Sequence, residues 1–102
     1  NKNKIMTKVN LTIVATLNPN GKEELSHYLE KVGILYKNVD AKPVNKFKIT
    51  KPLIGNYKPS LVSIMEFPNI KSLNDVFESD DYKKLIPFIE KAFSKLEGYI
   101  SE

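Results

Sequence analysis

The sequence predicts an α+β domain of the ferredoxin-like kind, β-α-β-β-α-β with an antiparallel sheet, and further predicts that two such domains close into a dimeric α+β barrel. Three observations lead there. Val9 to Leu17 and Leu61 to Phe67 are apolar segments with the two-residue periodicity of strands. An amphipathic helical segment and a lysine-bearing strand lie between them, and a second helical region with a short β-prone tail follows. The second apolar strand is apolar on both sides, so both of its faces must be covered.

The elements follow in order. Asn1 to Lys8 is polar and lysine-rich and reads as a disordered or trimmed N-terminal segment, leaving residues 9–102 as a single domain. Val9, Leu11, Ile13, Ala15 and Leu17 share one face of the first strand. Asn20, followed by Glu23, has the spacing of a capping box, and Leu25, Tyr28, Leu29, Val32 and Tyr36 then recur at helical spacing as far as Gly33 to Asn38. Val44 to Thr50 alternates Asn45, Phe47 and Ile49 with Val44, Lys46 and Lys48, which suits an edge strand. After a loop with Pro52, Gly55, Asn56 and Pro59 comes the third strand, Leu61 to Phe67. Ser72 with Asp75 and Ser79 with Asp80 and Asp81 read as two further helix starts. The second of these helices carries the stripe Tyr82, Leu85, Ile86, Ile89, Ala92, Phe93 and Leu96, interrupted at Pro87. Tyr99 to Ser101 is expected to be a short fourth strand.

Composition excludes several chemistries. The chain has no cysteine, which removes disulfides, iron–sulfur sites and thiol catalysis. All sixteen of its basic residues are lysine. Arginine is the usual bidentate reader of phosphates and guanine edges, so no nucleic-acid partner is expected. Residues 1–60 hold eleven lysines and four acidic residues, residues 61–102 five and eight, an asymmetry that favours self-association or a small anion. No run is long and apolar enough for a membrane helix, so no membrane partner and a cytoplasmic location are expected; a targeting peptide already removed stays open, since the first residue is Asn. There is no glycine-rich phosphate loop, no Ser-His-Asp arrangement and no metal-ligand cluster, so neither metal nor cofactor is expected.

The segment Gly55 to Phe93, with Glu66-Phe67-Pro68, Phe77, Ser79-Asp80-Asp81-Tyr82, Leu85 and Pro87, resembles the uncharacterised bacterial family known as domain of unknown function 1330, within the dimeric α+β barrel superfamily. Before Gly55 the likeness fades: Lys37 to Pro43 replaces a glycine-containing turn. The resemblance implies a fold, a homodimer and a cleft between helices and sheet, and no established reaction. Other members of that superfamily are cofactor-independent monooxygenases or haem degraders. The haem-degrading kind resembles an Asn, Trp and His constellation, and this chain has no Trp.

Each candidate side chain also has a plainer role. His27, the only histidine, is the natural general base, yet helical phasing turns it away from the apolar stripe and favours a solvated position. Glu66, at the end of the third strand, is the one candidate catalytic carboxylate, because desolvation there would raise its pKa; its plainer role is an ion pair or a dimer rim. Tyr28, Tyr57 and Tyr82, with Glu66, are the candidate ligand-binding residues, each tyrosine offering a ring and a hydroxyl. Lys42, Lys46, Lys48, Lys51 and Lys58 could gather an anion and more simply solvate an edge. Three functions follow as expectations: binding of a small, mainly apolar metabolite in the cleft; cofactor-independent oxygenase or isomerase chemistry on aromatic or carbonyl compounds; or a lysine-rich module for protein or polyanion partners.

Overall fold

The computed structural model describes residues 7–102, so the expectation for Asn1 to Met6 lies outside the described residues. The elements are β1 (Val9–Leu17), α1 (Lys22–Asn38), β2 (Lys42–Lys48), β3 (Leu61–Phe67), α2 (Ile70–Phe77), α3 (Asp80–Lys83), α4 (Ile86–Ala92) and β4 (Phe93–Ser101). The four strands form one antiparallel sheet in the order β2-β3-β1-β4, with the helices on one face. This is the ferredoxin-like arrangement, and the two most apolar strands are central because only there are both edges hydrogen-bonded. The lysine-bearing β2 is an edge, exposed along its whole length.

The register decides which residues meet the helices. Val9 pairs with Phe67, Leu11 with Met65 and Ala15 with Leu61, so these side chains share the covered face. Phe67 is fully buried, and Val9, Leu11, Ala41, Leu73 and Val76 close around it. A second cluster joins Ala15, Tyr28, Val32, Leu85, Ala92 and Phe93 where α1 and α4 lie over the other end of the sheet. Asn10, Thr12, Val14, Val62, Ile64 and Glu66 alternate onto the outer face, which no helix covers. The radius of gyration, 14.4 Å, exceeds the roughly 13 Å of a compact domain of this size, as a one-sided slab should.

Local chemistry explains the boundaries and corrects several expectations. The first helix starts at Lys22 with Gly21 as its cap and no side-chain cap bond, so Asn20 is not the capping residue. The turn is held by Asn18 instead, whose carbonyl oxygen Oδ1 accepts from the Asn20 amide at 3.1 Å while its side-chain amide donates to the Lys91 carbonyl at 2.9 Å. Leu29, placed by phasing on the inward stripe, is half exposed, because it borders the open space between α1 and β3 rather than packed side chains. Ser72 is the third residue of α2, and Asn69 is its cap: the two side chains and backbone amides bond reciprocally. Ser79 does cap α3, accepting from the Tyr82 amide at 3.1 Å. The last helical region breaks at Lys84 and Leu85, and Pro87 stands in the first turn of α4, where its missing N–H costs nothing.

The fourth strand is longer than expected and begins at Phe93. Leu17 pairs with Phe93 and Thr16 with Lys95, so Ser94 is an extra, unpaired residue in a β-bulge. The bulge puts Phe93 and Leu96 on the same face at a spacing of three, which in sequence imitates a helix. A like irregularity between Pro43 and Asn45 leaves Val44 unpaired, and β2 runs Lys42–Lys48 rather than from Val44 to Thr50.

Candidate functional site

Tyr28 is buried on the inward face of α1, and its ring meets Phe93 edge-on at 5.6 Å and Tyr82 at 6.4 Å. Tyr36 and Tyr82 are its polar neighbours. Burial first, and then the neighbouring Tyr36 and Tyr82, hold the Tyr28 phenol far above the ordinary tyrosine range; burial and Tyr82 raise Tyr36 as well. Such phenols stay protonated at neutral pH and act as hydrogen-bond donors rather than bases. Tyr82 owes its position to the Ser79 cap and to the ring of Phe77, 4.8 Å away.

Tyr28 and Tyr82 together line a cleft of about 410 Å³ between β4 and α2–α3. Leu11, Ile13, Leu96 and Ile100 form its sheet wall, Leu73 and Phe77 its helical wall, and Asn74 and Glu78 add polar groups. Gly98 keeps the floor open: a Cβ there would come within 3.3 Å of Leu11. A second, apolar cavity of about 300 Å³ lies on the other side of Tyr28, between α1 and β3, lined by Ala15, Leu25, Val32, Leu61 and Met65 among others. Outside the helix layer, His27 stacks on Phe88 at 4.0 Å beside Lys31, Asp81 and Lys84 in an open groove. His27 is thus half buried against an aromatic ring rather than freely solvated.

The other two candidates named from sequence are elsewhere. Glu66 pairs across the sheet with Asn10 on the outer face and forms an ion pair with Lys8 at 3.5 Å. Tyr57, in the loop after β2, bonds through its hydroxyl to Thr16 and lies under the Lys95 ammonium, 4.4 Å from the ring centre. The structure therefore joins Tyr28 to Tyr82 and leaves Tyr57 and Glu66 on the opposite side of the sheet. Among the cleft residues, Asn74 and Glu78 carry no signal in the sequence beyond ordinary helix patterning, and Phe77 stands out only as part of the family motif. Among the described residues no three His, Asp or Glu side chains converge to hold a metal ion, and no helix is long and apolar enough to cross a membrane.

A four-stranded antiparallel sheet with helices on one face and a cleft between the layers defines a ferredoxin-like α+β protein. The chain belongs to the family described as domain of unknown function (DUF1330), whose model matches residues 12–98. Among solved structures it is similar to a protein of unknown function from Rhodopseudomonas palustris, with a TM-score of 0.84 at 16% identity over 94% of this chain and 82% of that one. It is also similar to a dimeric protein of unknown function and ferredoxin-like fold from Bacteroides fragilis, with a TM-score of 0.60 at 8% identity over 93% of this chain and 95% of that one. A cofactor-independent oxygenase from Streptomyces nogalater superposes with a TM-score of 0.63 at 8% identity, covering 93% of this chain and 91% of the other. At these identities the likeness is one of fold. A search of curated proteins finds no match.

Proposed function

We propose that this protein binds a small, mainly apolar molecule carrying one hydrogen-bond acceptor, such as a carbonyl, in the cleft between β4 and α2–α3. The observation that carries this reading is the edge-on Tyr28–Tyr82 pair set in a cleft whose remaining walls are chiefly apolar. Tyr82 lines the cleft and is only partly buried, whereas Tyr28 is buried, so Tyr82 is the group that would offer its O–H to a ligand.

The proposal includes a homodimer joined through the outer sheet face, where Val14, Val62 and Phe47 form a continuous cross-strand row. Phe47 is half exposed there, an unfavourable position for an aromatic ring in a lone subunit. Glu66 and Tyr57 then belong to that interface rather than to the cleft. The lack of arginine supports the view that nucleic acid is not a partner, and the lack of a long apolar run in the sequence supports a cytoplasmic working place. Calorimetric titration with small ketones and phenols tests the binding reading. Binding that weakens in Tyr82→Phe supports it; absence of binding by all of them overturns it.

A further inference from the structure

The cleft on the β4 side and the cavity on the β3 side share three lining residues, Ile13, Tyr28 and Leu96. Ile13 and Leu96 belong to neighbouring strands of the sheet floor, since Ile13 lies next to Ala15, the partner of Leu96. Tyr28 is the only one of the three that descends from the helix layer. It is therefore the side chain standing between the two spaces. Its ring makes edge-on contacts with Tyr82, which lines the first space, and with Phe93, which lines the second. Beyond it the second space is walled mainly by apolar side chains, such as Leu25, Val32 and Met65, with Asn45, Lys46 and Ser63 on its β2–β3 side, a lining that can take a short hydrocarbon chain.

We propose that the helix and sheet layers enclose one elongated binding space divided by Tyr28, and that this ring sets the length of the apolar chain the protein accepts. This inference rests on the binding reading above and goes further, naming the ligand class as a polar head with a short linear tail, and the residue that limits the tail. With the ring in place a ligand has about 410 Å³ on the β4 side; without it, the roughly 300 Å³ beyond becomes continuous with the first space.

Straight-chain 1-alkanols from butanol to decanol, titrated by calorimetry into the wild-type protein and Tyr28→Ala, test it. In the wild type, affinity should rise with chain length and then level off once the first space is filled. In Tyr28→Ala it should go on rising past that length, by about fourfold for each added methylene. Because removing a buried ring can unfold a small domain, Tyr28→Leu serves as the second variant; it keeps apolar bulk and should shift the plateau by one or two carbons. A plateau at the same length in all three proteins, or no plateau in the wild type, overturns the partition while leaving binding intact. Failure of every alkanol to bind any of the three proteins overturns the binding reading and this inference with it.

Discussion

Tyr28 of α1 and Tyr82 of α3 meet edge-on, ring centres 6.4 Å apart and planes at 75°. The contact ties the long helix to the short one that the Ser79 cap positions, so the cleft wall and the donor in it are built by the same pair. Removing one hydroxyl without changing the ring separates the two roles. Tyr82→Phe should keep the packing and cost about 1 kcal/mol of stability, while affinity for a carbonyl ligand falls about three- to tenfold. Urea unfolding and calorimetry on the same preparation measure both; equal affinity in the two proteins would remove Tyr82 as the donor.

Alkali should unfold this protein. Tyr28 and Tyr36 have phenols raised above the ordinary value in the folded state, chiefly by burial. The unfolded chain releases those protons near pH 10 while the folded chain keeps them. The unfolded state therefore binds fewer protons above that pH, and stability falls as pH rises, by about 1.4 kcal/mol per pH unit for each tyrosine. Below the ordinary tyrosine value neither group contributes a slope. Urea midpoints measured from pH 8 to 11 should be steady and then drop, and Tyr28→Phe should show a shallower drop than the wild type.

Two glycines in the same helical segment should respond in opposite directions. A Cβ on Gly21 would lie 2.0 Å from the carbonyl oxygen of Lys91, a backbone atom at the end of α4 that cannot swing aside. Gly21→Ala must push α1 and α4 apart, at a cost of about 2 kcal/mol or more. Gly33, inside α1, has nothing within 4 Å of where its Cβ would be. Gly33→Ala should gain about 0.5–1 kcal/mol from helix propensity alone. Thermal unfolding of the two variants beside the wild type gives the sign of each.

Much of the fold was legible because periodicity is a local signal. Leu61–Phe67 is the expected third strand residue for residue, and Pro87 marks the helix break because a missing donor is a local fact. What was not legible depended on pairing. Phe93 and Leu96 were read as helix, since a bulge at Ser94 gives a strand the spacing of a helix, and only alignment against Thr16 and Leu17 reveals it. Glu66 and Tyr57 were grouped with Tyr28 and Tyr82 for a related reason. Both faces of β3 are apolar, so alternation alone could not say which face the helices cover, and the loop bearing Tyr57 has no period at all. The Tyr28–Tyr82 half of the site is visible in the sequence as inward positions on two helices; that their rings meet edge-on is not.

The outer face makes the last prediction. Val62 lies between Val14 and Phe47 in the cross-strand row. In the proposed dimer it is at the centre of the contact. Leu53 and Ile54, 94% and 90% exposed, belong to the loop that Tyr57 ties to Thr16 on this face, and the prediction includes them in the contact. Val62→Asp would bury an unpaired carboxylate in the interface, a loss of about 3–5 kcal/mol, or several hundredfold in dimer affinity. Leu53→Ser with Ile54→Ser removes apolar contact without adding charge, so its effect should be smaller and in the same direction. Sedimentation at several concentrations should show a wild-type dimer, a Val62→Asp monomer with an unchanged circular dichroism spectrum, and a loop variant that dissociates on dilution. A wild-type protein that sediments as a monomer at tens of micromolar would overturn the dimer. If instead the loop variant matches the wild type, Leu53 and Ile54 have no part in the contact.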